Sequence, residues 1–390
     1  MTLNNETLIG VVGSGTMGTG IAQVASTYGH AVRVFDTDEN ARKKAETRIE
    51  QILSRLVEKG RLEEDAARAI QSRIAFVDDL AALSDSGLVI EAVIEKLEIK
   101  EKVFQDLEKI VRDDCILATN TSSLSIASIS SVCENPWRFL GIHFFNPVAL
   151  MPLVEIIPST TTDETITAAT RGLIDGWKKT TVAAKDTPGF IVNRVARPFY
   201  GEALRILDEG IADVTTIDWA MKQNGGFRMG PFELMDFIGN DINYEVTQTV
   251  FEAFFYDPRY KPSFTQKRLV ETGWLGRKAG RGFYDYSPGA EQVEPVKDEV
   301  FCAEIFMRIL VMLINEAADA LFWQVASRDD IDLAMTKGVN YPKGLLRWAD
   351  DIGGAEVLSR LKALYDEYGE DRYRPSPLLR RMVATGKTFY

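Results

Sequence analysis

Residues 8–36 constrain the fold more than any other stretch of this chain. Leu8–Val12 is a short apolar run that reads as a strand, and Gly13-Ser-Gly15-Thr16-Met17-Gly18 follows it without a gap. Gly20–Tyr28 then reads as a helix ended by Gly29, and Ala31–Phe35 as a second strand closing on Asp36. This is a βαβ unit with its glycines at the strand-to-helix turn. Gly13 permits the tight turn, Gly15 lets the backbone approach a pyrophosphate, and Gly18 lets the helix pack close to the strand. The helix N-terminus adds N–H donors and a positive dipole end, and Thr16 and Met17 lie in the same cradle. A glycine pattern alone could be a structural turn; the strand, the helix and the acidic residue in place around it favour dinucleotide binding. Asp36 stands where a carboxylate accepts bonds from ribose hydroxyls and repels a 2′-phosphate. Thr37-Asp38-Glu39 offers no cation to receive such a phosphate, and Arg33 lies within the strand, so the expected cofactor is NAD.

Beyond this unit the N-terminal half keeps alternating. Strands are expected at Ile74–Val77, Leu88–Ala92, Cys115–Ala118, Phe139–Ile142, Leu153–Ile157 and Thr180–Ala184, with helices at about 79–84, 96–112 and 163–178. The pattern is that of a doubly wound parallel sheet. Glu39–Lys59 and Glu63–Ser72 form a charged helical hairpin that a minimal nucleotide fold does not need. Lys43, Lys44, Arg55, Lys59 and Arg61 make it locally basic, in a chain whose formal net charge is −12. It is either a solvated helix face or a clamp for a phosphorylated ligand tail. The overall charge excludes a general nucleic-acid or anionic-membrane partner. No leader pattern, bilayer-length apolar run or Cys/His metal spacing appears, and three scattered cysteines give no disulfide framework. A cytoplasmic, metal-free protein is expected.

The chain has two histidines in 390 residues. His143 follows the apolar run Phe139–Ile142, and Glu155 lies within Leu153–Ile157. A carboxylate beside an imidazole fixes its tautomer and stabilises its protonated form, which makes a general base usable near neutral pH. A buried histidine with a structural partner is the alternative. Ser122 and Ser123 close the loop after the strand at Cys115–Ala118, at the same mouth. Pro188-Gly189 breaks the chain and marks a domain boundary near 186; past it the pattern is almost wholly helical. Asn193 falls one turn into the first of these helices, as a cap or core amide or as a hydrogen-bond donor to a substrate oxygen.

The C-terminal half repeats itself. A shift of 114 aligns Glu202 with Glu316, Asp218 with Asp332, Gly230 with Gly344 and Asp236 with Asp350; a shift of 113 aligns Tyr260 with Tyr373 and Gly273 with Gly386. A duplicated helical domain is expected. The second copy carries Met307 at the position of Asn193 and Cys302-Ala303 at that of Pro188-Gly189, and it stops before any equivalent of Leu275–Tyr284. The domains expected are 1–185, a Rossmann-type NAD-binding fold, 186–290, a helical domain, and 298–390, its degenerate second copy.

Taken in order, Gly13–Gly18, Asn120-Thr-Ser122-Ser-Leu, His143-Phe-Phe-Asn-Pro147, Glu155 and Asp186-Thr-Pro-Gly-Phe-Ile-Val-Asn193-Arg closely resemble the (3S)-3-hydroxyacyl-CoA dehydrogenases. Met229–Asp236 and Gly276–Tyr284 match that family's helical domain, so the resemblance covers nearly all of residues 6–286. It implies reversible NAD-linked oxidation of a 3-hydroxyacyl-CoA. His143 would take the hydroxyl proton, Glu155 would hold His143, and Ser122 and Asn193 would hydrogen-bond the C3 oxygen. Glu95, Lys100 and Asn120 match cofactor positions, and Lys59 matches a lysine that contacts CoA, which favours the clamp reading of the hairpin. Pro152 departs from the lysine of many relatives. The tail, Gly338–Pro342 and Arg372–Ser376, is similar to longer members that oxidise 3-hydroxyadipyl-CoA. Single-copy relatives dimerise through the helical domain, so here the second copy could cover that surface within one chain, as a monomer or a homodimer. The rivals are β-hydroxyacid dehydrogenases acting on free acids, which use a lysine for proton transfer, and a non-catalytic NAD-binding protein such as some crystallins.

Overall fold

The structure, a computed structural model, describes residues 3–291 and 293–390. It divides into two compact units, Met1–Thr187 and Pro188–Tyr390. The first unit runs β1 (Ile9–Val12), α1 (Thr16–Thr27), β2 (Val32–Phe35), α2 (Glu39–Glu58), α3 (Glu64–Ser72), β3 (Ile74–Val77), β4 (Leu88–Glu91), α4 (Leu97–Glu108) and β5 (Ile116–Thr119). It continues through α5 (Ile126–Ser130), β6 (Phe139–Phe144), β7 (Leu153–Pro158), α6 (Glu164–Gly176) and β8 (Thr180–Ala183). The eight strands form one sheet in the order β3-β2-β1-β4-β5-β6-β7-β8. Helices cover both faces, so Ile9, Val11, Leu88 and Ile90 on one face and Val89 and Leu117 on the other are wholly buried, and the central strands are continuously apolar instead of alternating. The helix expected at 79–84 is only a 3₁₀ turn, Leu80–Leu83, started by Asp79 accepting from the Ala81 N–H.

One pairing departs from the parallel pattern. β6 and β7 are antiparallel, whereas β7 and β8 are parallel again. Residues 145–152, between β6 and β7, are too few to carry a crossover helix, so the chain turns back beside itself. The hairpin α2–α3 has a small core of its own, built from Ile49, Leu53, Ala67 and Ile70.

The second unit runs α7 (Val192–Val195), α8 (Arg197–Asp208), α9 (Val214–Gly225), α10 (Pro231–Ile238), α11 (Asn240–Ala253) and α12 (Phe264–Glu271). Then come α13 (Glu299–Phe322), α14 (Arg328–Gly338), α15 (Leu345–Ile352), α16 (Gly354–Tyr368) and α17 (Pro377–Thr385). The second set repeats the first, and α13 packs against α8 and α9 of the first set. Its stretch from Ile309 to Ala320 is buried all round, as a central helix must be.

The repeated residues are the ones that hold each copy together and to the other. Asp218 accepts from the N–H groups of Phe232 and Glu233, at 2.9 and 2.8 Å, and so caps α10. Asp332 does the same for α15 through Leu346 and Arg347, at 2.8 and 3.1 Å. A Cβ on Gly230 or on Gly344 would lie 2.3 Å from an atom of that carboxyl group, which explains the glycine in both copies. Between copies the bonds are reciprocal. Glu316 accepts from Arg194 Nε (2.6 Å) and the Tyr260 hydroxyl (2.6 Å), with Arg259 at 3.6 Å. Glu202 accepts from Arg308 Nε (2.7 Å) and the Tyr373 hydroxyl (2.8 Å), with Arg372 at 3.9 Å. Each copy thus gives one buried glutamate to an Arg–Tyr–Arg set of the other, as in an isologous interface folded into one chain.

One expectation is corrected here. The second copy does retain a counterpart of Phe283-Tyr284: Phe389 and Tyr390 donate their N–H groups to Asp350, as Phe283 and Tyr284 do to Asp236. The Tyr390 hydroxyl reaches Asp332 as that of Tyr284 reaches Asp218. Ten residues separate Gly273 from Tyr284 and three separate Gly386 from Tyr390, so linear alignment hides the equivalence.

Candidate active site

At the end of β1 the backbone turns at Gly13, with φ +101°, into α1. A Cβ on Gly18 would lie 1.9 Å from the Gly13 carbonyl oxygen, so the helix sits against the turn only because residue 18 has no side chain. A Cβ on Gly15 would meet nothing within 4 Å. Gly15 therefore leaves an open approach to the first turn of α1. No acidic residue lies in that turn, and its cap residue, Gly15, brings no side-chain bond. The cradle fits a pyrophosphate. Thr16 is exposed at its rim and takes a 3.2 Å bond from Arg48 of α2; Met17 is half-buried against the sheet core.

Asp36 stands at the end of β2. One carboxylate oxygen accepts from the N–H and hydroxyl of Ser14, at 2.7 and 2.8 Å, and the other from the Asp38 N–H at 3.0 Å. Partial burial opposes its charge, but these bonds and the nearby Arg42 outweigh that and hold the carboxyl below the usual carboxylate range. Arg42 is a cation that lies just beyond residues 37–39. It comes from α2, and its guanidinium is bonded to the Asp36 carbonyl oxygen. The site thus keeps a charged acceptor for a ribose diol, with the arginine tied to the backbone behind it.

The ends of β4, β5 and β6 carry the remaining groups. Glu95 accepts from the Thr121 hydroxyl (2.5 Å), the Ser122 N–H (2.9 Å) and the Ser123 hydroxyl (3.1 Å), and its other oxygen is 3.3 Å from Lys100 Nζ. Burial opposes the Glu95 charge, but Lys100 and the bonds from Thr121 and Ser122 hold the carboxyl below its usual range. Lys100 is 1% exposed, and its ammonium also donates to Glu91 at 2.7 Å. What Lys100 offers a ligand therefore passes through Glu95. Asn120 accepts from the Phe144 N–H at 3.0 Å, tying the β5 loop to the end of β6.

His143 and Glu155 face each other as register partners across the antiparallel pair β6–β7. His143 Nδ1 lies 2.6 Å from Glu155 Oε2, with His143 6% exposed and Glu155 fully buried. The carboxylate makes Nδ1 the protonated nitrogen of a neutral ring and leaves Nε2 as the basic one. Lys179 donates to the carbonyls of Val148 and Met151, at 2.5 and 2.8 Å, and pins the turn between the two strands. Burial brings its amine down to about 8. Lys59 is exposed at the end of α2, and Lys44, Arg55, Lys59 and Arg61 make no ion pair among the described residues. Asn193 belongs to the second unit. It is the second residue of the one-turn helix α7, later in the chain than expected, because Gly189 and Phe190 adopt positive φ (+72° and +46°) and delay the helix start.

Glu91, Thr119 and Thr121 were not singled out from the sequence. The signal for Glu91 was present: a carboxylate ending the fully apolar strand Leu88-Val-Ile-Glu91 needs a buried partner. Among the described residues, no group of three His, Cys, Asp or Glu side chains is placed to hold a metal ion, and no helix is long and apolar enough to cross a membrane.

A doubly wound sheet with this cradle, this carboxylate and a paired histidine at its ligand edge defines a nucleotide-dependent dehydrogenase. The chain belongs to the 3-hydroxyacyl-CoA dehydrogenase family: residues 8–187 match its NAD binding domain, and residues 189–286 and 305–388 each match its C-terminal domain. It is 36% identical to the 3-hydroxyadipyl-CoA dehydrogenase of Escherichia coli K12, over 98% of each chain. It is 41% identical to a 3-hydroxybutyryl-CoA dehydrogenase of Bradyrhizobium diazoefficiens, over 73% of this chain and 97% of that one. The crystal structure of a 3-hydroxybutyryl-CoA dehydrogenase from Escherichia coli K12 superposes with a TM-score of 0.93 at 35% identity, covering 98% of this chain and 99% of that one. The chain is thus an NAD-dependent oxidoreductase of hydroxyacyl-CoA thioesters.

Proposed function

We propose that the chain interconverts (3S)-3-hydroxyacyl-CoA and 3-oxoacyl-CoA with His143 as the proton-transfer group. The 2.6 Å His143–Glu155 pair, formed across one strand register and closed to solvent, carries this reading. Nε2 of His143 takes the C3 hydroxyl proton, and the buried Glu155 carboxylate stabilises the imidazolium that results. NAD, when bound, accepts the hydride that leaves C3. Gly15, the first turn of α1 and Asp36 would hold the dinucleotide, with Glu95 and Asn120 assigned to it on the family resemblance. Ser122 donates to the C3 oxygen and orients it; Asn193 is assigned a bond to the same oxygen on the family resemblance. Lys59, exposed and without an ion pair, is assigned to the CoA tail. NAD and CoA thioesters are intracellular compounds, which supports a cytoplasmic setting.

For the acyl group we favour short, uncharged chains of the butanoate type, after the relatives so named. A second reading, a dicarboxylic 3-hydroxyadipyl-CoA, is supported by the relative of that name, whose likeness spans the duplicated helical region too. The reciprocal Glu202 and Glu316 clusters support a chain that covers its own helical surface and works as a monomer, checked by its mass in sedimentation equilibrium. His143→Gln should lower kcat by about 10³-fold with NADH binding retained. Turnover close to wild type in that variant would remove His143 from the mechanism. NAD-linked kcat/KM over a series of straight-chain 3-hydroxyacyl-CoA thioesters plus 3-hydroxyadipyl-CoA decides between the two acyl readings.

A further inference from the structure

We propose that Glu91, through Lys100, is the positioning residue for the loop that presents Ser122 and Asn120. Glu91 ends β4 and is fully buried. One of its oxygens accepts from Lys100 Nζ (2.7 Å) and from the Val93 N–H (2.6 Å); the other accepts from the Thr119 hydroxyl (2.7 Å). Lys100 then spans from Glu91 to Glu95, which takes the Thr121 hydroxyl, the Ser122 N–H and the Ser123 hydroxyl. The Thr119 hydroxyl also accepts from the Thr121 N–H at 3.2 Å. Thr119, Thr121, Ser122 and Ser123 are therefore all fixed to two carboxylates, and one buried ammonium fixes those carboxylates to each other. Most polar bonds of the Glu91–Lys100–Glu95 set go to this loop.

The electrostatics make the arrangement directional. A buried ammonium must be paired, and here it is shared unequally, 2.7 Å from Glu91 and 3.3 Å from Glu95. Glu91 takes the closer contact, which leaves Glu95, with a side chain 37% exposed, to hold the loop. Without the Glu91 charge, Lys100 has one carboxylate left and draws Glu95 inward, away from the Ser122 N–H. Displacing an orienting group by about 1 Å costs on the order of 100-fold in rate even when binding survives.

This inference rests on the reading that Ser122 orients the C3 oxygen. The test is Glu91→Gln, which keeps the volume and removes the charge, beside the double variant Glu91→Gln/Lys100→Met, which also removes the unpaired ammonium. We expect kcat to fall at least about tenfold in Glu91→Gln, with KM for the acyl-CoA within about threefold, the split of an orientation defect. In the double variant the thermal midpoint should recover while kcat stays low, because Glu95 is no longer tethered. Wild-type kcat in Glu91→Gln, or recovery of kcat together with thermal midpoint in the double variant, would overturn the proposal and leave the triad a stabilising contact. Ser122→Ala in the same assay keeps the two claims apart: its full activity would sink the reading on which the proposal rests, whereas its low kcat beside a fully active Glu91→Gln would sink the positioning role alone.

Discussion

In the first helical repeat the chain from Pro188 to Asp208 is two helices, α7 and α8, with a bent entry at Gly189 and Phe190; in the second, its counterpart from Cys302 to Phe322 is the interior of one helix, α13. Pro188 and Pro198 are replaced by Cys302 and Met312, so nothing interrupts the second copy. Asn193 sits on the broken turn, and its counterpart Met307 sits in the unbroken helix. The carboxylates that cap, pair and close each copy are meanwhile kept, down to the terminal Phe–Tyr. A duplicated domain can lose a local irregularity and keep its scaffold, because the buried charges that hold the scaffold cannot be left unpaired.

The largest effect should come from breaking the reciprocal clusters. Glu316→Ala leaves Arg194 buried without its carboxylate, while Arg259 keeps Asp257 and Asp319, and should cost about 3–5 kcal/mol in urea unfolding. Glu202→Ala should cost the same to within about 1 kcal/mol if the pseudo-symmetry is energetic as well as geometric. A much milder Glu202→Ala would break the comparison. Burial opposes the Glu316 charge, yet Arg194, Arg259 and the Tyr260 hydroxyl hold its carboxyl below the usual range. A depressed value in the folded state means that its contribution is present above about pH 4.5 and is lost as pH falls through the folded value. The gap in unfolding midpoint between wild type and Glu316→Gln should therefore narrow from pH 7 toward pH 3.

Next in size, Asn193→Met gives the first copy the residue of the second. It should lower kcat/KM by about 100-fold, roughly 2.7 kcal/mol, with the thermal midpoint nearly unchanged. Full activity in that variant would remove Asn193 from the site. Deleting Phe389 and Tyr390 takes donors from Asp332 and Asp350 and should cost about 1–3 kcal/mol in unfolding free energy, with activity at 25 °C within about twofold. The smallest effect is expected of Met307→Asn, under about 0.5 kcal/mol and with no change in kcat. A gain or loss of activity there would mean that the second copy touches the chemistry.

Much of this molecule was legible in the chain. Apolar runs bounded by glycine and charge marked every strand, and the glycine turn with Asp36 announced the nucleotide cradle. The repeat showed through its buried carboxylates, since residues that close a scaffold tolerate little change. Less legible were contacts made by long side chains from distant elements. Arg42 reaches back from α2 to Asp36, Lys100 reaches from α4 to two carboxylates, and the terminal Phe–Tyr meets Asp350 only after a seven-residue shortening that defeats alignment.

The sequence by itself determined which residue types exist to do the chemistry: one histidine after an apolar strand, one glutamate inside the next, and hydroxyls at a loop between strands. Spacing along the chain does not say which side chains meet. Only the tertiary structure decided that the turn at 145–152 sends β7 back antiparallel to β6, in the one register that sets Glu155 opposite His143. A slip of one residue would point Glu155 to the other face of the sheet, since strand side chains alternate. The same holds for Glu91, which the sequence shows as one carboxylate ending an apolar strand and the fold shows bonded to Lys100 and Thr119.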